Sequence, residues 1–134
     1  MHEYPITCHL VDLVCRLAAE RGAARIRELT LVIGDDAGYV GDSIRLYFDA
    51  VAEGTACAGA EVTVIRIRPQ LCCPACGRLF ERKPFSFACP ECGTDGHPTR
   101  IGKEFYLKSI VVETDDGGSQ QVLSLEPNGG NSGE

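Results

Sequence analysis

Four cysteines in the second half of the chain form two Cys-x-x-Cys pairs. Each pair has proline after its first cysteine and glycine after its second; the pairs are Cys73 with Cys76 and Cys89 with Cys92. Proline fixes φ and bends the chain, and glycine adopts the positive φ that turns backbone N–H groups toward sulfur. Two such turns brought together place four thiolates at the corners of a tetrahedron, the geometry of structural Zn²⁺. The spacing therefore predicts a zinc site.

Two other chemistries compete for these thiols. A disulfide within each pair would close a short, strained loop, and the first residues do not resemble a secretory signal peptide, so the eight cysteines favour metal binding over disulfides. Iron held by the same four thiolates, as in a rubredoxin-like electron carrier, is the alternative metal. Adjacent thiols cannot occupy two corners of a tetrahedron without distortion, so we expect Cys72 to be a spectator. Replacement of one cysteine by His97 would at most be transient.

The first three residues, Met1-His2-Glu3, offer a second and different metal site. A free amine at Met1, the amide nitrogen of His2 and the Nδ1 atom of His2 close two fused chelate rings, and the amide of Glu3 can supply a fourth nitrogen. Four nitrogens in one plane favour Ni²⁺ or Cu²⁺ over Zn²⁺. The amide must lose its proton, so binding should strengthen as the pH rises. By position alone, an unstructured chain end is the alternative interpretation.

The net charge of −6 is unevenly distributed. Residues 66–108 carry eight basic and four acidic side chains, whereas residues 1–65 carry five basic and ten acidic ones, and residues 109–134 carry five acidic ones and no basic one. A basic segment can bind nucleic acid or dock on an acidic partner, and the acidic chain as a whole disfavours nucleic acid. No run approaches the ~20 apolar residues of a membrane span. We therefore expect a cytoplasmic protein without nucleic-acid or membrane partners.

The elements before the cysteine pairs alternate between helix and strand. Residues 6–21 predict an amphipathic helix that ends before Gly22, and its expected apolar face is Ile6, Leu10, Leu13, Val14 and Leu17. Residues 26–33 and 60–68 predict strands, the second with a bulge or twist at residues 64–65. Between them, Asp42 or Ser43 should cap a second helix that ends near Gly54. The acidic loop at residues 35–36 is either an exposed turn or a hard-metal site.

The cysteine pairs interrupt this domain. Residues 104–113 predict a third strand, with positions 105, 107 and 111 on one side and positions 106, 110 and 112 on the other, and residues 122–125 predict a short edge strand. The predicted fold is thus α+β: two helices on a three-stranded sheet (1–69 plus 103–126), an inserted zinc-ribbon-like module (70–102) and a disordered tail (127–134). The module is too small to fold by burial alone. We expect a private core over the thiolates, made of Leu79, Phe80, Phe85 and Phe87.

Several motifs occur together in this order over residues 1–114. They are Met1-His2-Glu3, Ile33-Gly34, Asp42-Ser43-Ile44-Arg45, Phe48-Asp49, Glu53-Gly54-Thr55, the paired Cys-x-x-Cys turns and Lys108-Ser109-Ile110-Val111-Val112-Glu113. This combination resembles the HypA/HybF family of hydrogenase nickel-incorporation proteins. The most specific part is an N-terminal Met-His-Glu combined with a late four-cysteine site.

The resemblance implies a nickel metallochaperone that is not an enzyme. Such a protein delivers Ni²⁺ to the large subunit of [NiFe]-hydrogenase, or in some organisms toward urease, together with a nickel-binding HypB-like GTPase. His2 would be the nickel ligand, assisted by backbone nitrogen of Met1 and Glu3, and the zinc ligands would be Cys73, Cys76, Cys89 and Cys92. Pro5 departs from the small hydroxyl residue that is usual there. Glycine after each second cysteine, where some relatives carry His nearby, puts a His-linked rearrangement of the zinc site in doubt.

Overall fold

The computed structural model describes residues 3–114 and 120–124, which form two helices and two sheets. In chain order the elements are α1 (Glu3–Glu20), β1 (Ala23–Gly34), α2 (Gly41–Ala52), β2 (Glu61–Ile67), β3 (Gln70–Cys72), β4 (Leu79–Glu81), β5 (His97–Pro98), β6 (Phe105–Thr114) and β7 (Gln120–Ser124). The larger sheet has the order β2-β1-β6-β7, with β1 and β2 parallel and the other pairs antiparallel. The smaller sheet has the order β4-β3-β5. The predicted α+β fold with two helices is confirmed, and β7, where a short edge strand was expected at residues 122–125, makes the larger sheet four-stranded.

The main hydrophobic core lies between the two helices and the larger sheet. Alternate residues of β1 face the helices, because successive side chains of a strand point to opposite faces. Buried side chains from each element meet there; they include Val14 of α1, Phe48 of α2, Leu31 of β1 and Ile110 of β6. The four cysteines predicted to bind zinc are not among the described residues of this core.

Both helices differ in detail from the sequence-based expectation. α1 begins at Glu3 rather than at residue 6, which Pro5 permits because the first-turn N–H groups have no intrahelical partner. Its buried face is also rotated: Thr7 and Ala18 are buried, whereas Leu13 is 39% exposed. The predicted polar cap of α2 is wrong, since the residue preceding the helix is Val40 and no side chain caps it.

The bulge predicted as one possibility in β2 does not occur against β1, because β2 pairs with β1 in continuous register through residues 61–67. The irregularities lie instead between β1 and β6. Thr30 pairs with Ser109 and the next residue, Leu31, pairs with Leu107, so one residue of β6 is skipped. This bulge places Leu107 and Ile110 on the same, core-facing side. The expected division of β6 into two alternating faces therefore fails at this point.

The predicted private core of the smaller sheet is mostly wrong. Only Phe80 of the four expected side chains is buried, together with Leu71 and two cysteines. Leu79 is 50% exposed because it alternates with Phe80 along β4. Phe85 and Phe87 are 106% and 49% exposed, since they lie in the connection between β4 and the second cysteine pair and turn away from the sheet.

The smaller sheet is fastened to the larger one at the end of β1. The backbone N–H of Asp36 donates to the carbonyl of Gly102 (2.7 Å), and the guanidinium of Arg82 forms two hydrogen bonds with the Asp36 carboxylate (3.0 and 3.1 Å). Gly34 packs directly against Gly102: a Cβ atom on Gly34 would lie 2.1 Å from the Gly102 carbonyl carbon. These contacts tie the β1–α2 loop to the second connection of the insert.

Candidate metal centre

The two cysteine turns repeat one hydrogen-bond pattern. In the first turn the N–H of Gly77 donates to the Cys73 carbonyl (2.8 Å), and the N–H of Cys73 donates to the Arg78 carbonyl (2.9 Å). The second turn has the equivalent bonds, at 2.8 Å each, from Gly93 to Cys89 and from Cys89 to Thr94. Both glycines have positive φ, 74° and 78°. The positive φ predicted for these glycines is thus present, and their own N–H groups donate to cysteine carbonyls rather than to sulfur.

The two turns bring four thiols to one point. The sulfur atoms of Cys73, Cys76, Cys89 and Cys92 all lie within 4.8 Å of one another. Cys73 Sγ is 3.3 Å from Cys92 Sγ, and Cys76 Sγ is 3.8 Å from Cys89 Sγ. A tetrahedral site with Zn–S bonds of about 2.3 Å has sulfur–sulfur edges of about 3.8 Å, whereas a disulfide bond is about 2.05 Å long. The four-cysteine cluster therefore fits one zinc ion, and all eight cysteines are free thiols.

Thiol protonation in the cluster is uneven. Hydrogen bonds from the Thr94 side chain and backbone, followed by one from Cys73, lower the pKa of Cys92 to about 6. The backbone N–H of Arg78 lowers the pKa of Cys76, but the neighbouring thiols and burial outweigh it and raise the pKa to about 11. Four thiolates at this spacing repel one another, and a divalent cation removes that penalty. The donor set is thus suited to a cation that prefers sulfur.

Neighbouring candidate ligands stay outside the cluster. Cys72 precedes it on β3, and its thiol points to the Cys73 carbonyl at 4.0 Å. His97 pairs with Cys72 across the strands and is exposed. Elsewhere, burial and then the Cys15 thiol, whose sulfur is 3.6 Å away, raise the pKa of Cys57 to about 12, so Cys57 packs as a neutral group. Within residues 3–114 and 120–124, no second group of three metal-ligand side chains occurs.

The predicted nickel site begins outside the described residues, because Met1 and His2 both lie there. Glu3 is the first described residue, and its buried side chain was not singled out from the sequence. Its carboxylate accepts a hydrogen bond from the N–H of Val40 (3.0 Å), and its carbonyl accepts one from the Thr7 hydroxyl. The Val40 hydrogen bond lowers the pKa of Glu3. Only its place in the Met-His-Glu motif marks Glu3 in the sequence.

The acidic loop after β1 pairs with arginines. Arg66 forms two hydrogen bonds with Asp35 (2.8 and 3.0 Å), and this side-chain contact lowers the pKa of Asp35. Asp36 is paired with Arg82. Both carboxylates are thus engaged in ion pairs, as expected of an exposed polar turn. The Asp35–Arg66 pair borders an open groove of about 520 Å³ that also contains Val40, the partner of Glu3.

This combination defines a small metal-binding protein. An α/β domain carries an inserted sheet with four clustered thiols, and its first helix begins directly after Met1 and His2. The family model for hydrogenase/urease nickel incorporation metallochaperones, HypA, matches residues 1–112. The chain belongs to the HypA family. Its members are metallochaperones, not enzymes.

Curated relatives agree with this assignment. The hydrogenase maturation factor HypA of Caldanaerobacter subterraneus subsp. tengcongensis is 41% identical over 114 residues, covering 84% of this chain and all of the relative. HypA of Chlorobium limicola is 39% identical over 116 residues, covering 87% of this chain and all of the relative. A HypA solution structure superimposes with a TM-score of 0.60 at 23% identity, covering 82% of this chain and 94% of that one, and so shares the fold.

The described residues contain two helices, α1 and α2. Neither combines the length and the apolar character that crossing a bilayer demands.

Proposed function

We propose that this chain delivers Ni²⁺ to the large subunit of [NiFe]-hydrogenase, together with a nickel-binding HypB-like GTPase. The observation that carries the proposal is the match to the nickel-incorporation family from residue 1 onward, which includes Met1-His2-Glu3. The eight free thiols suit the reducing cytoplasm, where we place this reaction.

The cargo site we propose is the chain terminus. His2 binds Ni²⁺ through its imidazole, and the Met1 amine and the backbone nitrogens of His2 and Glu3 complete a planar set of nitrogen ligands. The Glu3 side chain supports this role without binding the metal: it accepts a hydrogen bond from the Val40 N–H, which fastens the residue that follows His2 at the beginning of α1. A terminal site exchanges ligands readily, which suits an ion that must be passed on.

The four-cysteine cluster has the opposite role. We propose that Cys73, Cys76, Cys89 and Cys92 hold one Zn²⁺ that stays with the protein. Four thiolates leave no open coordination position, so the ion supplies folding free energy to the insert rather than catalysis. One chain would then treat two ions differently: the terminal nitrogen ligands release their metal, and the four clustered thiolates retain theirs.

Calorimetric titration of Ni²⁺ into the zinc-loaded, untagged protein tests the cargo site. His2→Ala should weaken binding by tenfold or more, because it removes the imidazole and one chelate ring. His9→Ala is the matched control, since His9 is an exposed residue of α1 and should not contribute. Adding one residue before Met1 should act like His2→Ala. Equal affinity of His2→Ala and wild type would contradict the terminal site.

A further inference from the structure

The turn that follows β4 exposes an aromatic ring. The backbone N–H of Ser86 donates to the Lys83 carbonyl (3.3 Å), which closes the turn around Pro84 and Phe85. The Phe85 side chain is fully exposed, and the backbone of Phe85 has a φ of 62°. Among the described residues it is the only one other than glycine with a positive φ.

Stability alone does not account for phenylalanine at this position. A turn with proline at its second residue and positive φ at its third is most stable with glycine there, because glycine has no Cβ to clash with the backbone. A bulky residue in the left-handed conformation is a genuine outlier. Phe85 therefore carries both an unfavourable backbone and an unburied ring. Backbone strain that the rest of the fold does not require is often found at functional sites, so the strain at Phe85 points to a function of its side chain.

The ring lines a basic groove. The groove has a volume of about 530 Å³, and its charged lining consists of four basic and two acidic side chains: Arg66, Arg68, Arg82, Lys83, Asp35 and Glu81. Phe85 and Phe87 provide its exposed aromatic surface. We call these eight residues the Phe85 surface. Its net positive charge contrasts with the net charge of −6 of the whole chain.

Ion pairs within the protein neutralise most of this charge and leave the excess beside the ring. Three arginines are paired: Arg66 with Asp35, Arg68 with Glu81, and Arg82 with Asp36. Lys83 is exposed and makes no ion pair with any residue that the structure describes. The unpaired ammonium group therefore lies two residues from the exposed ring. An apolar anchor beside a free positive charge is complementary to an acidic protein surface with an apolar recess.

The Phe85 surface is continuous with the surroundings of the chain terminus. Asp35 and Arg66 line both the basic groove and the 520 Å³ groove that contains Val40. Val40 in turn holds the Glu3 carboxylate at the beginning of α1. A protein seated on the Phe85 surface and extending along these two grooves would therefore reach Val40, the residue that holds the Glu3 carboxylate.

We propose that the Phe85 surface is the docking site for the protein that receives nickel, and that this protein offers an acidic rim around a recess for the Phe85 ring. The proposal rests on the proposed function and deepens it, because it assigns the contact with the recipient to the inserted sheet. A recipient docked there and extending along the second groove approaches Glu3, the residue that follows the proposed nickel ligand His2.

Binding of the purified large-subunit precursor of [NiFe]-hydrogenase tests the docking site. Phe85→Gly should fold with an unchanged melting temperature, because relief of the backbone clash offsets the added entropy of glycine in the unfolded chain. It should bind the precursor at least tenfold more weakly, as expected for a central aromatic anchor. Lys83→Glu should also weaken binding and reduce its salt dependence. Leu46→Ala, at a 72% exposed position of α2, is the control and should bind as wild type does.

The outcomes separate the two proposals. Wild-type binding with undiminished affinity of Phe85→Gly and Lys83→Glu would overturn the docking site and leave nickel delivery intact. No binding of the wild type would overturn delivery to this recipient, and the docking site with it. Oligonucleotide binding is measured for the same three proteins. If the wild type binds oligonucleotides and both variants lose that binding while they still bind the precursor, the surface binds nucleic acid and the proposal is overturned.

Discussion

Glu3 is fixed at the beginning of α1 through both its side chain and its backbone. The carboxylate accepts the N–H of Val40 and the carbonyl accepts the Thr7 hydroxyl, so the helix and the residue preceding α2 are linked. Because residues 1 and 2 form the proposed nickel site, a side chain that binds no metal fixes the residue that directly follows that site. The third residue of the Met-His-Glu motif thus has a structural reason to be acidic.

This contact predicts a pH dependence of stability. The hydrogen bond from Val40 lowers the pKa of Glu3 below its ordinary value of 4.5. A carboxyl group with a lowered pKa in the folded state contributes its full stabilisation above pH 4.5, and loses it as the pH falls through the folded-state pKa. Thermal unfolding should therefore show Glu3→Gln to be less stable than wild type at neutral pH, with the difference shrinking below about pH 4.5.

Glu20→Gln provides the control for this experiment. Glu20 is an exposed residue at the other end of α1, so its substitution should change the melting temperature little at any pH. A Glu3→Gln difference that stays constant from neutral to acidic pH would show that charge at Glu3 does not contribute.

At the scale of elements, the insert depends on a close backbone contact. Gly34 ends β1 and lies against Gly102 at the second connection of the insert, where a Cβ atom would come within 2.1 Å of carbonyl atoms. Backbone cannot move aside as a flexible side chain can. Gly34→Ala should therefore lower the free energy of unfolding by about 2–3 kcal/mol, as expected for overpacking, measured by denaturant titration.

Gly59→Ala is the control that separates the effect of a steric clash from the effect of an unfavourable backbone conformation. Gly59 has a φ of 79°, and a Cβ atom added there would have no other atom within 4 Å, so alanine at this position meets strain without a clash. We expect a cost of about 1 kcal/mol at Gly59. If Gly34→Ala proves no more destabilising than Gly59→Ala, the contact between Gly34 and Gly102 is not tight.

For the whole molecule, the two sheets should respond differently to loss of metal. The main core is built from the helices and the larger sheet, whereas the buried cluster of the smaller sheet contains only Leu71, Phe80, Cys73 and Cys89. Two of these four are proposed zinc ligands, so the insert has little else to hold it together. The architecture therefore couples metal binding to the folding of one part of the chain.

Removal of zinc by a chelator should accordingly unfold the insert and spare the rest. Amide hydrogen exchange should accelerate across residues 70–102, while α1, α2 and β1 keep their protection and the helical circular dichroism persists. Elemental analysis should find about one Zn per untreated chain. Cys73→Ala should reproduce the loss, and Cys8→Ala, a substitution in α1 outside the cluster, should retain zinc. Undiminished protection of the insert after chelation would contradict this coupling.

Local sequence was sufficient for the features that depend on near neighbours. The Cys-x-x-Cys-Gly spacing predicted both metal-binding turns, because their hydrogen bonds join residues at most five positions apart. Apolar periodicity predicted the helices and the main strands, since each period is a property of one element. The family resemblance, supported by motifs spread over the chain, indicated what the two candidate metal sites are for.

Tertiary structure alone decided the features that join distant parts of the chain. The bulge opposite Thr30 and Leu31 changes which side of β6 faces the core, and it arises from pairing between strands that are far apart in sequence. The Glu3–Val40 and Gly34–Gly102 contacts likewise unite separate segments. Apolar character predicted burial for Phe85, but the turn directs its ring to solvent. Hydrophobicity predicts which side chains favour burial. Which of them are buried depends on the packing of elements that are distant in sequence.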